Sequence, residues 1–308
     1  MTLKAGSDGA AGSRGSFASR DARLDAVLVS SGLARSRGHA RELIDVGAVT
    51  VDGTVVARAS KQVHSGSRLD VAMQAGDHWV GRGAGKLQGA LAAFGSADIR
   101  AGPGLPACAP RAALSARGRR CLDVGASTGG FTQVLLAEGA AHVVALDVGH
   151  GQLVPSLAAD PRVTERSGLS IRDVRPGDLG PAFDLIVGDL SFISLRLVLP
   201  HLVPLLAPDG DAVLLVKPQF EVGRGGRTKH GVVRDPADRA AALLAVLGAA
   251  TAAGWVVHGV VPSSVTGITG NQEYLGWFSA RSGGGMTPAQ IEDRVEELTQ
   301  ATQERKRR

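Results

Sequence analysis

From Cys121 onward, short unbroken apolar runs alternate with longer stretches whose apolar positions recur every third or fourth residue. Runs of the first kind suit strands buried on both faces, and helical spacing marks the segments between them. The alternation predicts an α/β domain. Strands are expected near 120–124, 142–147, 162–165, 184–188, 212–217, 255–261 and 274–280, and helices near 129–138, 150–158, 194–206 and 236–253. The closing stretch "TPAQIEDRVEELTQATQERKRR" predicts a capped, charged helix that runs out into a basic tail.

Upstream the pattern changes. Residues 1–20 are Gly, Ser and Ala with scattered charge and predict a disordered tail. Leu24, Val27, Leu28 and Val29 predict a short helix closed near Gly32. Ser36 is placed to cap a second, running to about Asp45 with Ala40, Leu43 and Ile44 inward. "AVTVDGTVV" alternates and turns at Asp52-Gly53, a hairpin signal. These elements form a small α+β module over 21–76, followed by a linker over 77–85. Lys86 is expected to open an apolar helix with Leu87, Leu91 and Phe94, at the start of an α/β domain over 86–284. The segment near 98–116, rich in Pro, Gly and Ala, lacks periodicity and is expected to be a surface loop or insertion. Residues 285–308 hold the final helix and tail.

A length of 308 residues agrees with two domains. The net charge of +5 points to an acidic partner, of which nucleic acid is the commonest, with a solvated basic surface as the equal alternative. Cys108 and Cys121 make neither a metal-ligand spacing nor a disulfide framework, so no metal is expected. No apolar run approaches the ~20 residues that span a bilayer, and the N-terminus has no signal-peptide pattern. The expectation is a soluble, cytoplasmic monomer. Aromatics at 4% argue against a sheet that stacks several bases, which leaves shape and phosphate contacts to dominate any RNA binding.

"CLDVGASTGGFTQVLLAEG" is a strand, a glycine-rich turn and a helix. Gly125, Gly129 and Gly130 would let the backbone approach a ligand and expose amides at a helix start. Asp147, closing the next strand, suits a bidentate hydrogen bond to ribose hydroxyls. "GASTGG" fits neither the G-x-G-x-x-G fingerprint nor the Gly-Lys-Ser/Thr phosphate loop, and a tight turn without ligand is the remaining alternative. Asp189 and Lys217 each follow an apolar run, which would set both at the carboxyl edge of the sheet, where open α/β folds bind ligands. Glu273 precedes the apolar "YLGWF" and reaches the same edge if that strand runs antiparallel.

"DVGASTGGFT" with "LDVGHGQL" resembles the cofactor-binding half of FtsJ-like methyltransferases, which use S-adenosylmethionine to methylate ribose. "VGDLSFISL" and "LLVKPQFEVGR" resemble the next two motifs of that group. The N-terminal module looks like the S-four RNA-binding domain, and the combination is similar to the TlyA family, which methylates ribosomal RNA on the 2′-oxygen of cytidine. The resemblance runs from about Arg23 to Phe278. It implies a Rossmann-like class I sheet, S-adenosylmethionine as cofactor, and ribosomal RNA or ribosomal subunits as partners. Cofactor contacts would come from Asp123, Gly125, Ser127, Gly129, Gly130, Phe131, Asp147 and Asp189. The family's Lys-Asp-Lys-Glu tetrad would fall on Lys86, Asp189, Lys217 and Glu273, the position of Lys86 resting on the resemblance alone. Lys217 is expected to be the base, since partial burial and a second lysine both favour a neutral amine. Asp189 and Glu273 would orient the lysines, and Lys86 would position the hydroxyl.

RNA contacts are expected from Arg23, Arg35, Arg37, His39 and Arg41 around the two N-terminal helices, a solvated face being the alternative. The loop "GRGGRTKHGVVRD" adds Arg224, Arg227, Lys229, His230 and Arg234, and its glycines would let it close over cofactor or RNA. Methylation at cytosine carbon five would need a nucleophilic cysteine, which neither Cys108 nor Cys121 is placed to be. Methylation of an exocyclic amine would need an Asn/Asp-Pro-Pro-aromatic element where this chain has "DLSF". Two rival readings are a non-catalytic RNA-binding or ribosome-assembly factor and a membrane-active haemolysin, a label this family has carried. The sequence departs from the family at Gly168, where an Asn is usual, and before "HWV", where a basic residue is usual.

Overall fold

The computed structural model describes residues 13–16, 22–31, 33–34, 37–45, 47–64, 66–71, 79–95, 114–223, 226, 228, 231–267, 269–281 and 283–305. It divides between His78 and Trp79 into two compact units.

The first unit contains β1 (Ser13–Ser16), β2 (Ala22–Arg23), α1 (Leu24–Ser30), α2 (Arg37–Asp45), β3 (Val49–Val51), β4 (Thr54–Val55), β5 (Gln62–Val63) and β6 (Arg68–Val71). Its main sheet runs β1-β6-β3-β4, and β2 pairs with β5. Leu24, Val27, Leu28, Ala40, Leu43 and Ile44 bury their apolar faces against Val49, Val51 and Leu69. Asp52 (φ 52°) and Gly53 (φ 80°) take the left-handed backbone that a two-residue hairpin requires. The Asp52 carboxylate fixes the turn by accepting from the Arg68 amide at 2.8 Å. Residues 13–16 correct the expected tail, because they pair antiparallel with β6, Ser13 opposite Val71. Ladder hydrogen bonds need only main-chain groups, so a Gly/Ser-rich composition conceals such a strand. Ser36, the expected cap of α2, lies outside the described residues.

The second unit contains α3 (Gly83–Gly95), β7 (Arg120–Val124), α4 (Gly130–Ala137), β8 (His142–Asp147), α5 (Pro155–Ala158), β9 (Val163–Ser167), β10 (Phe183–Gly188), α6 (Leu199–Leu202), β11 (Leu206–Val216), α7 (Pro218–Glu221), α8 (Pro236–Ala252), β12 (Val256–Pro262), β13 (Tyr274–Ser279) and α9 (Pro288–Arg305). Its sheet runs β12-β13-β11-β10-β7-β8-β9. Strands β7 to β11 are mutually parallel, and β13 lies antiparallel to both β11 and β12. The unbroken apolar runs follow from burial on both faces. Leu122, Val144, Ile186, Leu214 and Phe278 pack with Leu243 and Val246 of α8 and Val295 and Leu298 of α9. Cys121, Val143, Val187 and Val213 face the other way, onto Leu87 and Phe94 of α3 and Phe131 and Leu135 of α4.

Four expected elements are corrected. The helix placed near 150–158 is only α5, because Gly151 (φ 60°) keeps the preceding stretch irregular and Pro155 sets the first helical position. The helix placed near 194–206 is broken into a 3-10 turn at Leu195–Leu197, α6, and a second 3-10 turn at Val203–Leu205. Pro200 and Pro204 lack the amide that a continuous helix would use. Strand β11 begins at Leu206, six residues before the expected start. Helix α3 begins at Gly83, which sets Lys86 in its first turn. Residues 79–82, expected in a linker, lie against the following motif: the Val80 amide donates to Gln133 Oε1 at 2.7 Å and Thr128 Oγ1 donates to the Val80 carbonyl at 3.3 Å. The expected insertion near 98–116 lies outside the described residues except for 114–116, where Leu114 and Ala116 are buried.

Candidate active site

The glycine-rich turn connects β7 to α4 at the carboxyl edge of the sheet. Gly125 has φ 82°, and a Cβ there would come within 2.9 Å of the Asp189 carbonyl oxygen. A side chain at Gly129 (φ 99°) would overlap Leu153 and Leu157, and one at Gly130 would come within 3.2 Å of the Ala84 amide nitrogen. Each glycine therefore serves close approach of the chain to itself, where the sequence suggested room for a ligand. The Asp147 carboxylate accepts from the Ser127 amide and from the Gly149 amide, both at 2.8 Å. These bonds fix a recess lined by Ala126, Ser127, Asp147, Gln152, Glu165 and Ser167.

Two of the expected cofactor residues are buried and do not line that recess. Phe131 is buried in the core. Asp123 is wholly buried; its Oδ2 accepts from Thr132 Oγ1 at 2.7 Å, and its Oδ1 has no partner. Burial raises its carboxyl to about 7. An orphaned acceptor near the end of β7, two residues before the glycine-rich turn, is a group that a donor of a bound ligand could meet. The edge from β8 to β11 covers three strand spacings, about 15 Å, enough for an elongated nucleoside conjugate. The residues present thus fit S-adenosylmethionine.

At the other end of this edge the four expected catalytic positions meet. Asp189 directly follows β10 and Lys217 directly follows β11. Glu273 precedes β13, whose antiparallel course pairs Tyr274 with Val216 and so starts that strand beside Lys217. Lys86 enters from α3. Lys217 Nζ lies 2.6 Å from Asp189 Oδ1, and Lys86 Nζ lies 3.4 Å from Asp189 Oδ2 and 2.7 Å from Glu273 Oε2. Lys217, Asp189, Lys86 and Glu273 thus form one chain of alternating charge in which both lysines and Glu273 are buried. Charges taken out of water this far persist only when each has an opposite partner. Gln219 Nε2 donates to Glu273 Oε1 at 2.9 Å, and Gly267 admits that carboxylate, since a Cβ there would stand 2.7 Å from the same oxygen.

The loop after Asp189 completes the edge. Lys217 Nζ donates to Ser191 Oγ at 2.7 Å. Phe192, 92% exposed, has φ 65° and packs its ring 5.3 Å from that of Phe220. Glu221 anchors the far side of the loop, accepting from Ser194 Oγ and the Leu195 amide at 2.6 Å each and from Arg196 Nε at 3.3 Å. Ser191, Gln219 and Glu221 were not singled out in the sequence, although all three lie within the quoted "GDLSF" and "KPQFE". Polar residues two or four places beyond a flagged charge were the available signal.

Of the expected RNA-binding residues, Arg23 donates through Nε and Nη2 to the buried Asp25, each bond 3.0 Å, and Arg41 lies 3.7 Å from the same carboxylate. The hydrogen bond from Arg23 holds the Asp25 carboxyl below its usual range. Arg37 is exposed on α2. Arg35, the His39 side chain, Arg224, Arg227, Lys229 and His230 lie outside the described residues, whereas Arg234 is described and exposed. The return of that basic loop is pinned by Asn271, whose Oδ1 accepts from the Val233 amide at 2.9 Å and whose Nδ2 donates to the Gly231 carbonyl at 3.1 Å. Burial pushes the Cys121 thiol up to about 12, which removes it as a nucleophile. Cys108 lies outside the described residues.

Known proteins share both units. The family model described as FtsJ-like methyltransferase matches residues 79–280, and that of the S4 domain matches residues 22–69. The chain is 47% identical to the 16S/23S rRNA (cytidine-2'-O)-methyltransferase TlyA of Mycobacterium tuberculosis, over 90% of this chain and 96% of that one. It is 34% identical to Hemolysin A of Brachyspira hyodysenteriae, over 83% of this chain and 99% of that one. A solved structure described as a hemolysin from Streptococcus thermophilus matches with a TM-score of 0.69 at 31% identity, covering 94% of this chain and 99% of its own. No helix among the described residues is long and apolar enough to cross a membrane. An S4 domain joined to an FtsJ-like domain, with this identity over nearly the whole length, means that the chain belongs to the TlyA family of FtsJ-like methyltransferases.

Proposed function

We propose that this chain methylates the ribose 2′-oxygen of a cytidine in ribosomal RNA, working in the cytoplasm on ribosomal subunits. The observation that carries the reading is the unbroken contact chain Lys217–Asp189–Lys86–Glu273 at the carboxyl edge. S-adenosylmethionine supplies an electrophilic methyl carbon on a sulfonium when bound. Asp147 would hold its ribose hydroxyls, the turn from Gly125 to Gly130 would carry its backbone contacts, and Asp123 would face its cationic end. Lys217 takes the proton of the attacking hydroxyl. It touches one carboxylate, whereas Lys86 is held between two. Lys86 then serves as the fixed cation that positions the hydroxyl, while Asp189 and Glu273 orient the two lysines. Arg23, Arg35, Arg37 and Arg41, with Arg224, Arg227 and Lys229, would supply phosphate contacts.

The test is Lys217→Met, assayed with labelled cofactor and separate small and large ribosomal subunits. A general base is worth roughly 10²–10⁴ in rate, so transfer should fall by at least about 100-fold while calorimetric affinity for S-adenosylmethionine persists. Near-normal turnover in this variant would remove Lys217 from the role.

A further inference from the structure

We propose that Ser191 is a positioning residue that aims the lone pair of Lys217 at the substrate hydroxyl. The inference rests on the reading of Lys217 as the base and adds a residue that the tetrad does not contain. A neutral lysine amine has two N–H donors and one lone pair in tetrahedral array. Lys217 Nζ donates a hydrogen bond to Ser191 Oγ at 2.7 Å and stands 2.6 Å from Asp189 Oδ1 as an ion pair, an oxygen that accepts no hydrogen bond. With one N–H held by Ser191 and the Asp189 carboxylate fixed beside the amine, the lone pair is confined to the side away from both oxygens. With Asp189 alone, the amine turns about its Cε–Nζ bond and the lone pair sweeps a cone.

The groups around Lys217 leave this task to the hydroxyl. From β10 comes the Asp189 carboxylate; from α3 comes Lys86, which shares Asp189 and is otherwise committed to Glu273 at the start of β13. On α7, the Phe220 ring lies 5.8 Å from Lys217 Nζ, and the Glu221 carboxylate is occupied by Ser194, Leu195 and Arg196. The loop that leaves Ser191 is itself held in place. Phe192 next to it has φ 65°, a left-handed backbone that is costly for an aromatic residue. Such a conformation persists where its surroundings over-determine it, and here Glu221 clamps the Ser194–Leu195 end of the same loop.

The hydroxyl oxygen forms a bond to the methyl carbon with one of its electron pairs. The carbon–sulfur bond breaks and its pair stays on sulfur, leaving S-adenosylhomocysteine. The hydroxyl proton moves to the Lys217 lone pair, and the resulting ammonium returns it to solvent after the product leaves.

Ser191→Ala, Ser191→Thr and Lys217→Met are compared in the full chain, with ribosomal subunits and labelled S-adenosylmethionine under single-turnover conditions. Misdirection of a reacting group costs on the order of 100-fold, so Ser191→Ala should lose about 10- to 100-fold in transfer rate. KM for the subunits, calorimetric affinity for S-adenosylmethionine and the thermal midpoint should stay at wild-type values. Ser191→Thr, which keeps the hydroxyl, should regain most of the rate. A wild-type rate in Ser191→Ala beside an inactive Lys217→Met overturns this proposal alone. So does a Ser191→Thr variant as slow as Ser191→Ala. A Lys217→Met variant that still turns over removes the base assignment and this proposal together.

Discussion

Asp123 shows how much one buried carboxyl can set. It is wholly enclosed, is hydrogen-bonded by Thr132, and is raised by burial from 3.8 to about 7. Below pH 4 the folded and unfolded chains both carry this proton. Between pH 4 and 7 the folded chain keeps a proton that the unfolded chain has lost, so its stability falls as pH rises through that window. Asp123→Asn removes the titration. The stability difference between variant and wild type should therefore move in the variant's favour by up to about 4 kcal/mol from pH 4 to 7. Urea midpoints at several pH values across the window measure this, and parallel curves for the two proteins would refute it. Asp189, Lys217 and Glu273 were legible in the sequence because strand ends set them on one edge, and Lys86 because of a motif. Ser191 and Gln219 were not, since their roles depend on which atom lies 3 Å away through space, and sequence spacing carries no such information.

At the scale of elements, the parallel strands were readable because burial on both faces leaves long apolar runs. What failed to show was interruption. Pro200 and Pro204 divide an apolar stretch whose helical spacing is intact, and β1 has no apolar pattern at all. The joint between the basic loop and the carboxyl edge of the sheet was equally hidden, because it depends on one amide. Asn271, buried, spends its side chain on Val233, Gly231 and Thr269, two residues before Glu273. Asn271→Ala leaves the buried Val233 amide without an acceptor, and an unmet buried donor costs about 1–3 kcal/mol. Chemical denaturation of the full chain should register a loss in that range. If loop and edge are coupled through this residue, KM for the ribosomal subunit should rise while affinity for S-adenosylmethionine holds. A variant of unchanged stability and unchanged KM would mean that the joint is held elsewhere.

Over the whole molecule, the net charge of +5 is modest, so where the cations sit matters more than their sum. In the N-terminal unit Arg23 has committed two of its donors to Asp25, and removing it would strand a buried carboxylate. Arg37 and Arg41 are the informative pair, because both are exposed on α2 and Arg23 still compensates Asp25 in their absence. Each phosphate contact on single-stranded nucleic acid contributes roughly 0.7 to the slope of log affinity against log salt. If both arginines reach phosphates, Arg37→Gln with Arg41→Gln should lower that slope by about 1.4 and weaken subunit binding most at low salt. Asp189→Asn in the second unit should leave the slope untouched and stop transfer, since its carboxylate serves the lysines. Binding titrations at several salt concentrations, run beside methyl transfer for both variants, separate the two units by function. A slope unchanged in the double variant would make that helix face a solvated one and shift RNA recognition to other cations. A slope changed by Asp189→Asn would mean that the carboxyl edge of the sheet itself carries phosphate contacts.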